Sequence, residues 1–359
     1  MKLYGAIDLH SNNSVVVVND DQDRVVHKRR VPNELTMILS QLEPYRAELQ
    51  GVAVESTFNW YWLIDGLMET GYKVHLVNTS AVKIYDGLKF SDDEDDARHL
   101  AHLLRLGILP EGYIYPKEQR SVRDLLRKRA QLVRQRTTQI LSVKNLAQRN
   151  VGRRISQEKI GKLDDAGIAS LCGDEHRTLA MKSSLAVIRC LNDQILTIEK
   201  TVLSQMKLRP EFQQLLTVDG VGRILGLTIM LETGDIHRFP TVGDYASYCR
   251  CVDSRKLSNY KKKGEGNRKN GNKYLAWAYI EAAEHARRHQ PLVRRYYERK
   301  AAKTMPVIAR KAMAHKLSRA CYYVMRDRVP FDIERAFGPG HPISVEDRQL
   351  DGSLVKPVG

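Results

Sequence analysis

Four carboxylates of this chain have the spacing and flanking residues that phosphodiester chemistry needs: Asp8, Glu55, Asp93 and Asp96. Asp8 and Glu55 each close a short apolar run, Gly5-Ala6-Ile7 and Val52-Ala53-Val54, while Asp93 and Asp96 lie in Ser91-Asp92-Asp93-Glu94-Asp95-Asp96-Ala97 at a separation of three. Clustered carboxylates repel and raise one another's pKa unless a cation neutralises them. The occupant that suits an all-oxygen donor set is Mg²⁺ or Mn²⁺, and two such ions about 4 Å apart position and polarise a phosphodiester. A plainer reading makes Asp92 or Asp93 a helix cap and leaves the other acids solvated. Each acid taken singly is structural on that reading, whereas the four together favour a metal site. His99 and His102 continue the same helix, and His285 and His289 form a second pair; packed or solvated imidazoles account for both pairs more simply than metal binding.

The elements that must position these acids are legible in the hydrophobic pattern. Leu3 to Asp8 reads as a strand, His10-Ser11-Asn12-Asn13 as a polar turn, Val15 to Val18 as a second strand, and Val25-Val26 as part of a third. Helical spacing follows at Leu35, Ile38, Leu39 and Leu42, then a strand over residues 51–55, a helix from Trp60 to Met68, and a strand from Val74 to Val77. Three strands, then helix, strand, helix, strand is the order of an α/β RNase H-like domain, although other α/β domains share it. In such a sheet the first and fourth strands are neighbours, so Asp8 and Glu55 project side by side. A helix opening near Ser91 or Asp92 puts Asp93 and Asp96 on one face at i,i+3. This domain is assigned to residues 1–115.

Residues 116–209 read as a helical, coiled-coil connector. From Lys117 to Arg154 apolar positions recur at near-helical intervals with almost no Gly or Pro, as one long helix or a helical pair, and the stretch holds 12 Lys or Arg against Glu118 and Asp124. Such an imbalance exceeds what i,i+4 pairs neutralise, so Arg123, Arg127, Lys128 and Arg134 are candidate nucleic-acid contacts, beside a self-association seam. After Pro210 comes a mainly α-helical domain, assigned to 210–330. Its Leu215-Leu216-Thr217-Val218-Asp219-Gly220-Val221-Gly222-Arg223-Ile224 resembles the hairpin of a helix-hairpin-helix unit, which offers backbone N–H groups to phosphate; a plain tight turn fits equally. Residues 331–359, rich in Gly, Pro and charge, are expected to pack poorly.

The balance of charge narrows the partner. Lys plus Arg number 58 against 42 Asp plus Glu, a formal charge of +16 on 359 residues, which points to nucleic acid. No stretch approaches the roughly 18 apolar residues of a membrane span and no signal peptide is evident, so a cytoplasmic protein without a membrane partner is expected, nucleoid-associated when active. Cys172, Cys190, Cys249, Cys251 and Cys321 form no C-x-x-C pair and are read as reduced and mostly structural.

A second candidate site lies between residues 250 and 273, where nine Lys or Arg face only Asp253 and Glu265. Arg255, Lys256, Lys261, Lys262, Lys263, Lys269 and Lys273 are its candidate nucleic-acid contacts. Ser258 sits beside three of these lysines, whose charge could stabilise an oxyanion developing on phosphate. By residue chemistry alone, a phosphate-binding loop with no covalent step is the plainer account.

Three blocks resemble one family, the DEDD transposases of bacterial insertion sequences, IS110 family and its IS1111 branch. They are Gly5-Ala6-Ile7-Asp8-Leu9-His10-Ser11; Val52-Ala53-Val54-Glu55-Ser56-Thr57; and Lys89-Phe90-Ser91-Asp92-Asp93-Glu94-Asp95-Asp96-Ala97 with the helix that follows. Cys249 through Ala278 is similar to the family's C-terminal transposase domain. The family's D-x-x-D-A pattern selects Asp93 and Asp96 over Asp92 and Asp95. The resemblance implies a RuvC-like acidic domain working with a serine nucleophile, here Ser258, that forms a covalent phosphoserine link and conserves the energy of cleavage for rejoining. Tyr260 stands where the branch generally has Gly, and Ser254 is the rival nucleophile. The resemblance also implies donor and target DNA as substrates, a non-coding bridge RNA as guide, and a homo-oligomer, dimer to tetramer, built through the coiled-coil region.

Two other functions are compatible with the residues alone. One is a metal-dependent, structure-selective nuclease resembling junction resolvases, which hydrolyses without a covalent adduct. The other is a non-catalytic nucleic-acid-binding protein. An actin-like sugar kinase shares the strand order but is set aside, because Asp8-Leu9-His10 lacks the Gly-rich phosphate loop.

Overall fold

A computed structural model describes residues 1–82, 93–205, 209–252, 256–258, 261–264 and 270–338, with main chain alone at 93, 94, 205, 256–258, 261 and 262. The chain divides into two compact units, the second beginning at Glu118.

The first unit is built on strands β1 (Leu3–Leu9), β2 (Asn13–Asp20), β3 (Val25–Pro32), β4 (Leu49–Glu55) and β5 (Val74–Val77), with helices α1 (Leu35–Leu42), α2 (Tyr61–Glu69) and α3 (Asp93–Leu106). The sheet order is β3-β2-β1-β4-β5. β1, β2 and β3 pair antiparallel, whereas β4 lies parallel to both β1 and β5, as expected of an RNase H-like domain.

Side chains alternate across a strand, and this sorts β1, β2 and β4 between two layers. Ile7, Leu9, Val16, Val18, Val52 and Val54 join one buried cluster with Ile38 and Leu42 of α1 and Leu63, Ile64 and Leu67 of α2. On the opposite face Ala6, Ala53 and Val77 pack against Leu100 and Ala101 of α3, and Val15 and Val17 against Ala97. Small residues on that face let α3 lie close to the sheet. Asp8 and Glu55 share parity with Ala6 and Ala53, so they project toward α3.

In the second unit, α4 (Lys117–Val151) is one continuous helix, without a break into a pair. Beyond it run α5 (Gln157–Gly161), α6 (Asp165–Cys172) and α7 (Glu175–Gln205). Ile140, Val143 and Ala147 of α4 recur at i,i+3,i+7 and are buried with Ile160, Ile168, Met181, Leu185 and Ile188.

The remaining elements are α8 (Pro210–Leu215), α9 (Arg223–Thr233), α10 (Val242–Tyr248), a hairpin of β6 (Lys256–Ser258) and β7 (Lys261–Gly264), then α11 (Lys273–His289), α12 (Pro291–Ala301), α13 (Pro306–Asp327) and α14 (Ile333–Phe337). Their common core includes Phe212, Leu227, Tyr245, Tyr279, Met313 and Cys321. The buried hydroxyls of Tyr245 and Tyr279 satisfy each other at 2.6 Å, and Thr233 Oγ1 lies 2.9 Å from the Tyr245 hydroxyl. The expectation of a poorly packed tail needs correction at its start. Phe337 is buried in this core against the Tyr296 ring, and Lys316 Nζ donates to the Ala336 carbonyl at 2.9 Å, so apolar burial orders the chain through α14. Residues beyond 338 lie outside the described set.

Candidate functional site: an acidic cluster and a basic hairpin

The parallel register brings the first two acids together. Ile7 pairs with Val54, so Asp8 and Glu55 follow side by side where β1 and β4 end. Asp8 is buried and Glu55 partly buried. Burial raises the Glu55 carboxyl to a pKa of about 8, helped by a hydrogen bond with Asp8 and by the charges of Asp8 and Asp96. Asp96 is near enough for its charge to be felt at Glu55, on the turn of α3 whose Ala97 is packed against Val15 and Val17. Asp93 opens α3 one turn earlier; its side chain is outside the described set.

The turn after β1 is held beside these acids. His10 Nε2 lies 3.3 Å from Asp8 Oδ2, and the His10 carbonyl accepts from Asn33 Nδ2 at 2.9 Å and Asn59 Nδ2 at 3.1 Å. In sequence His10 reads only as a turn residue, because nothing local shows its ring folding back toward the strand end. The rings of His99 and His102 lie 6.3 Å apart, and His102 Nδ1 sits 2.7 Å from Asp23 Oδ2 in the β2–β3 turn, which ties α3 to the sheet.

The second candidate site is the β6–β7 hairpin, in whose antiparallel register Ser258 pairs with Lys261. Lys263 and Lys273 are exposed. Ser254, Arg255 and Lys269 lie outside the described residues, as do the side chains of Lys256, Ser258, Lys261 and Lys262.

Comparison with known proteins adds family to geometry. Residues 6–149 match the model of the IS110-type DEDD transposases, and residues 212–298 match that of the Transposase IS116/IS110/IS902 family; together they span more than half of the chain. This chain belongs to the IS110 family of DEDD transposases. A transposase for insertion sequence element IS1111A from Coxiella burnetii is 23% identical over 319 residues, covering 87% of this chain and 83% of its own. A probable family 20 transposase from Pseudomonas aeruginosa is 24% identical over 245 residues, covering 65% and 70% respectively.

Membership in a DEDD transposase family implies divalent-metal dependence. Asp8, Glu55 and Asp96 fit that requirement in chemistry: they supply hard oxygen donors, and Glu55, raised first by burial and then by Asp8 and Asp96, is a carboxylate whose charge a cation would stabilise. Among the described residues no group of three or more His, Cys, Asp or Glu side chains is gathered closely enough to hold a metal ion. No helix among them is long and apolar enough to cross a membrane.

The expected basic surface of the transposase is corrected by its packing. Arg123 and Arg127 turn inward to the buried Glu232: Arg127 binds both carboxylate oxygens, at 2.6 and 2.7 Å, and Arg123 Nε lies 3.5 Å away. Arg129 likewise pairs with Glu199 on α7 at 2.6 Å. Counting i,i+4 partners misses these acids because they lie on other helices. Lys128 and Arg134 are exposed. Glu232 escapes a reading of the sequence; its only signal is a single acid closing the uncharged run from Ile224 to Leu231 in α9.

The glycine-rich turn between α8 and α9 also acquires a structural reason. Gly220 has φ +85°, and a Cβ there would run into the Ala282 carbonyl oxygen of α11, so this glycine serves close packing. Gly222 opens α9 without a side-chain cap. The turn lines an open cavity of about 620 Å³ with the exposed His285 and His289.

Proposed function

We propose that this transposase cleaves and rejoins DNA through a Mg²⁺- or Mn²⁺-dependent acidic site and a covalent serine intermediate, guided by an RNA from its own element. The observation that carries the metal half is the pairing of Asp8 and Glu55 at the ends of neighbouring parallel strands, with Glu55 raised to about 8 and Asp96 adding its charge. Asp93, one turn before Asp96 on α3, completes the donor set on this reading. A bound cation supplies charge compensation at the phosphodiester. Asp8 and Glu55 would hold it from strands whose ends are fixed by the parallel register, and Asp96 would add a donor from α3.

Ser258, paired with Lys261 in a hairpin that also carries Lys262 and Lys263, is the proposed nucleophile. Its Oγ gives up a proton and forms a bond to phosphorus as a backbone P–O bond breaks; the departing DNA oxygen takes up a proton. Reversal of the same step rejoins DNA without an external energy source. The charge of this segment supports contact with the phosphate backbone, and base pairing to a bridge RNA would supply sequence choice. Assembly as a dimer to tetramer is supported by apolar side chains left on the surface of the long helices: Leu141 of α4 is 52% exposed and Leu179 of α7 is 67% exposed.

The test combines the full-length protein, RNA transcribed from the non-coding flank of its element, and donor and target duplexes. A protein–DNA adduct and joined product are expected, both lost in Ser258→Ala. Metal-dependent nicking that persists in Ser258→Ala, with no adduct in the parent protein, would instead establish a hydrolytic nuclease.

A further inference from the structure

Glu232 lies near the C-terminal end of α9 and is 2% exposed. Its carboxylate accepts from two other parts of the second unit, Arg127 of α4 and Asn272 Nδ2 at 2.7 Å, with Arg123 of α4 as a further ion-pair partner at 3.5 Å. Asn272 is the N-cap of α11, its Oδ1 accepting from the backbone N–H of Tyr274 at 2.8 Å and of Leu275 at 3.1 Å. Ser, Thr or Asp would serve that capping role as well. What asparagine adds is the Nδ2 donor, and here it is directed at Glu232.

The same few residues close the foot of the basic hairpin segment. The Asn272 backbone N–H donates to the Tyr248 carbonyl at 2.6 Å, and Arg250 Nε donates to the Gly271 carbonyl at 2.9 Å. Gly271 has φ +88°, where a Cβ would meet the Tyr248 carbonyl oxygen, and Arg250 itself adopts a left-handed conformation at φ +55°. The Arg127 guanidinium lies 4.7 Å over the Tyr274 ring. The chain entering the segment at 248–250 and the chain leaving it at 271–274 are thus joined to each other, and through Glu232 to α4.

We propose that Glu232 is a positioning residue for DNA cleavage. Through Asn272 it fixes the foot of the segment that presents Ser258 and its lysines, and it registers that foot against α4. The inference rests on the reading of Ser258 as nucleophile. A buried carboxylate with several charge-assisted donors is a stiff anchor, and displacing a reacting group by about 1 Å costs on the order of 10²-fold in rate.

The test uses the full-length protein with its element RNA and fluorescent element-end DNA. Asn272→Ser keeps a capping oxygen but cannot reach Glu232; Glu232→Gln keeps the side chain's shape but removes its charge. Both are compared with Ser258→Ala. The expected result is a fall of about 10- to 100-fold in the cleavage rate at saturating DNA, with DNA affinity unchanged; the melting temperature is unchanged in Asn272→Ser, whose defect is one of placement, and lower in Glu232→Gln, which leaves Arg123 and Arg127 without their counter-charge. Parent-like cleavage in Asn272→Ser overturns the proposal while leaving the serine reading intact. So does an Asn272→Ser protein whose binding, melting temperature and cleavage all fall together, which makes the Asn272–Glu232 contact structural only. Adduct formation that survives Ser258→Ala overturns the serine reading and this inference with it.

Discussion

Asp8 and Glu55 share a hydrogen bond at the ends of two parallel strands, with Asp96 close enough to raise the Glu55 pKa further. Their proximity follows from the register Ile7 to Val54 and from side-chain parity.

The first consequence is a stability that depends on pH and metal together. The Glu55 carboxyl is raised from 4.5 to about 8 in the fold, so the folded state binds its proton more tightly than the unfolded chain. That contribution is fully present below pH 4.5 and is lost as pH rises through about 8. The metal-free protein should therefore melt at a lower temperature at pH 8.5 than at pH 5.5. Added Mg²⁺ should recover more at the higher pH. Thermal melts across this range with and without Mg²⁺ check it; a metal response that ignores pH contradicts it.

Glu55→Gln separates stability from activity. Removing a charge that repels Asp8 and Asp96 should raise the metal-free melting temperature at pH 8.5 by a few degrees, about 1 kcal/mol in a unit of this size. Cleavage should fall about 10³-fold, as for loss of a main electrostatic contributor to a transition state. The two measurements move in opposite directions, which simple misfolding cannot produce.

The arginines of α4 should divide by burial. Arg127→Ala leaves Glu232 short of its bidentate partner and should destabilise the second unit by about 3 kcal/mol. Lys128→Ala and Arg134→Ala, at exposed positions, should leave the melting curve alone. Where they contact phosphate, each should lower the slope of log affinity against log salt by about 1. Urea melts and salt titrations of DNA binding distinguish the two classes.

Gly220 and Gly222 should differ although both lie in the same turn. Gly220→Ala combines a left-handed backbone with a collision against α11 and should cost about 2–4 kcal/mol. Gly222→Ala meets nothing within 4 Å and should leave stability nearly unchanged. Equal effects in denaturant melts would contradict the packing role assigned to Gly220.

By itself the sequence determined the alternation of β1, β2 and β4, the helical period of α4, and the spacing of Asp93 and Asp96, because each is a local repeat set by backbone geometry. The element order of the first unit and the positions of its acids along that order follow from these repeats. Tertiary structure alone decided which arginines of α4 are available. Arg127 and Lys128 are adjacent in sequence and alike in charge, yet one meets Glu232, 105 positions away, and the other meets solvent. It likewise decided that His10 returns to Asp8 and that Asn272 serves both a helix end and Glu232. Such partners are chosen by packing between distant segments, and no periodicity of one segment records them.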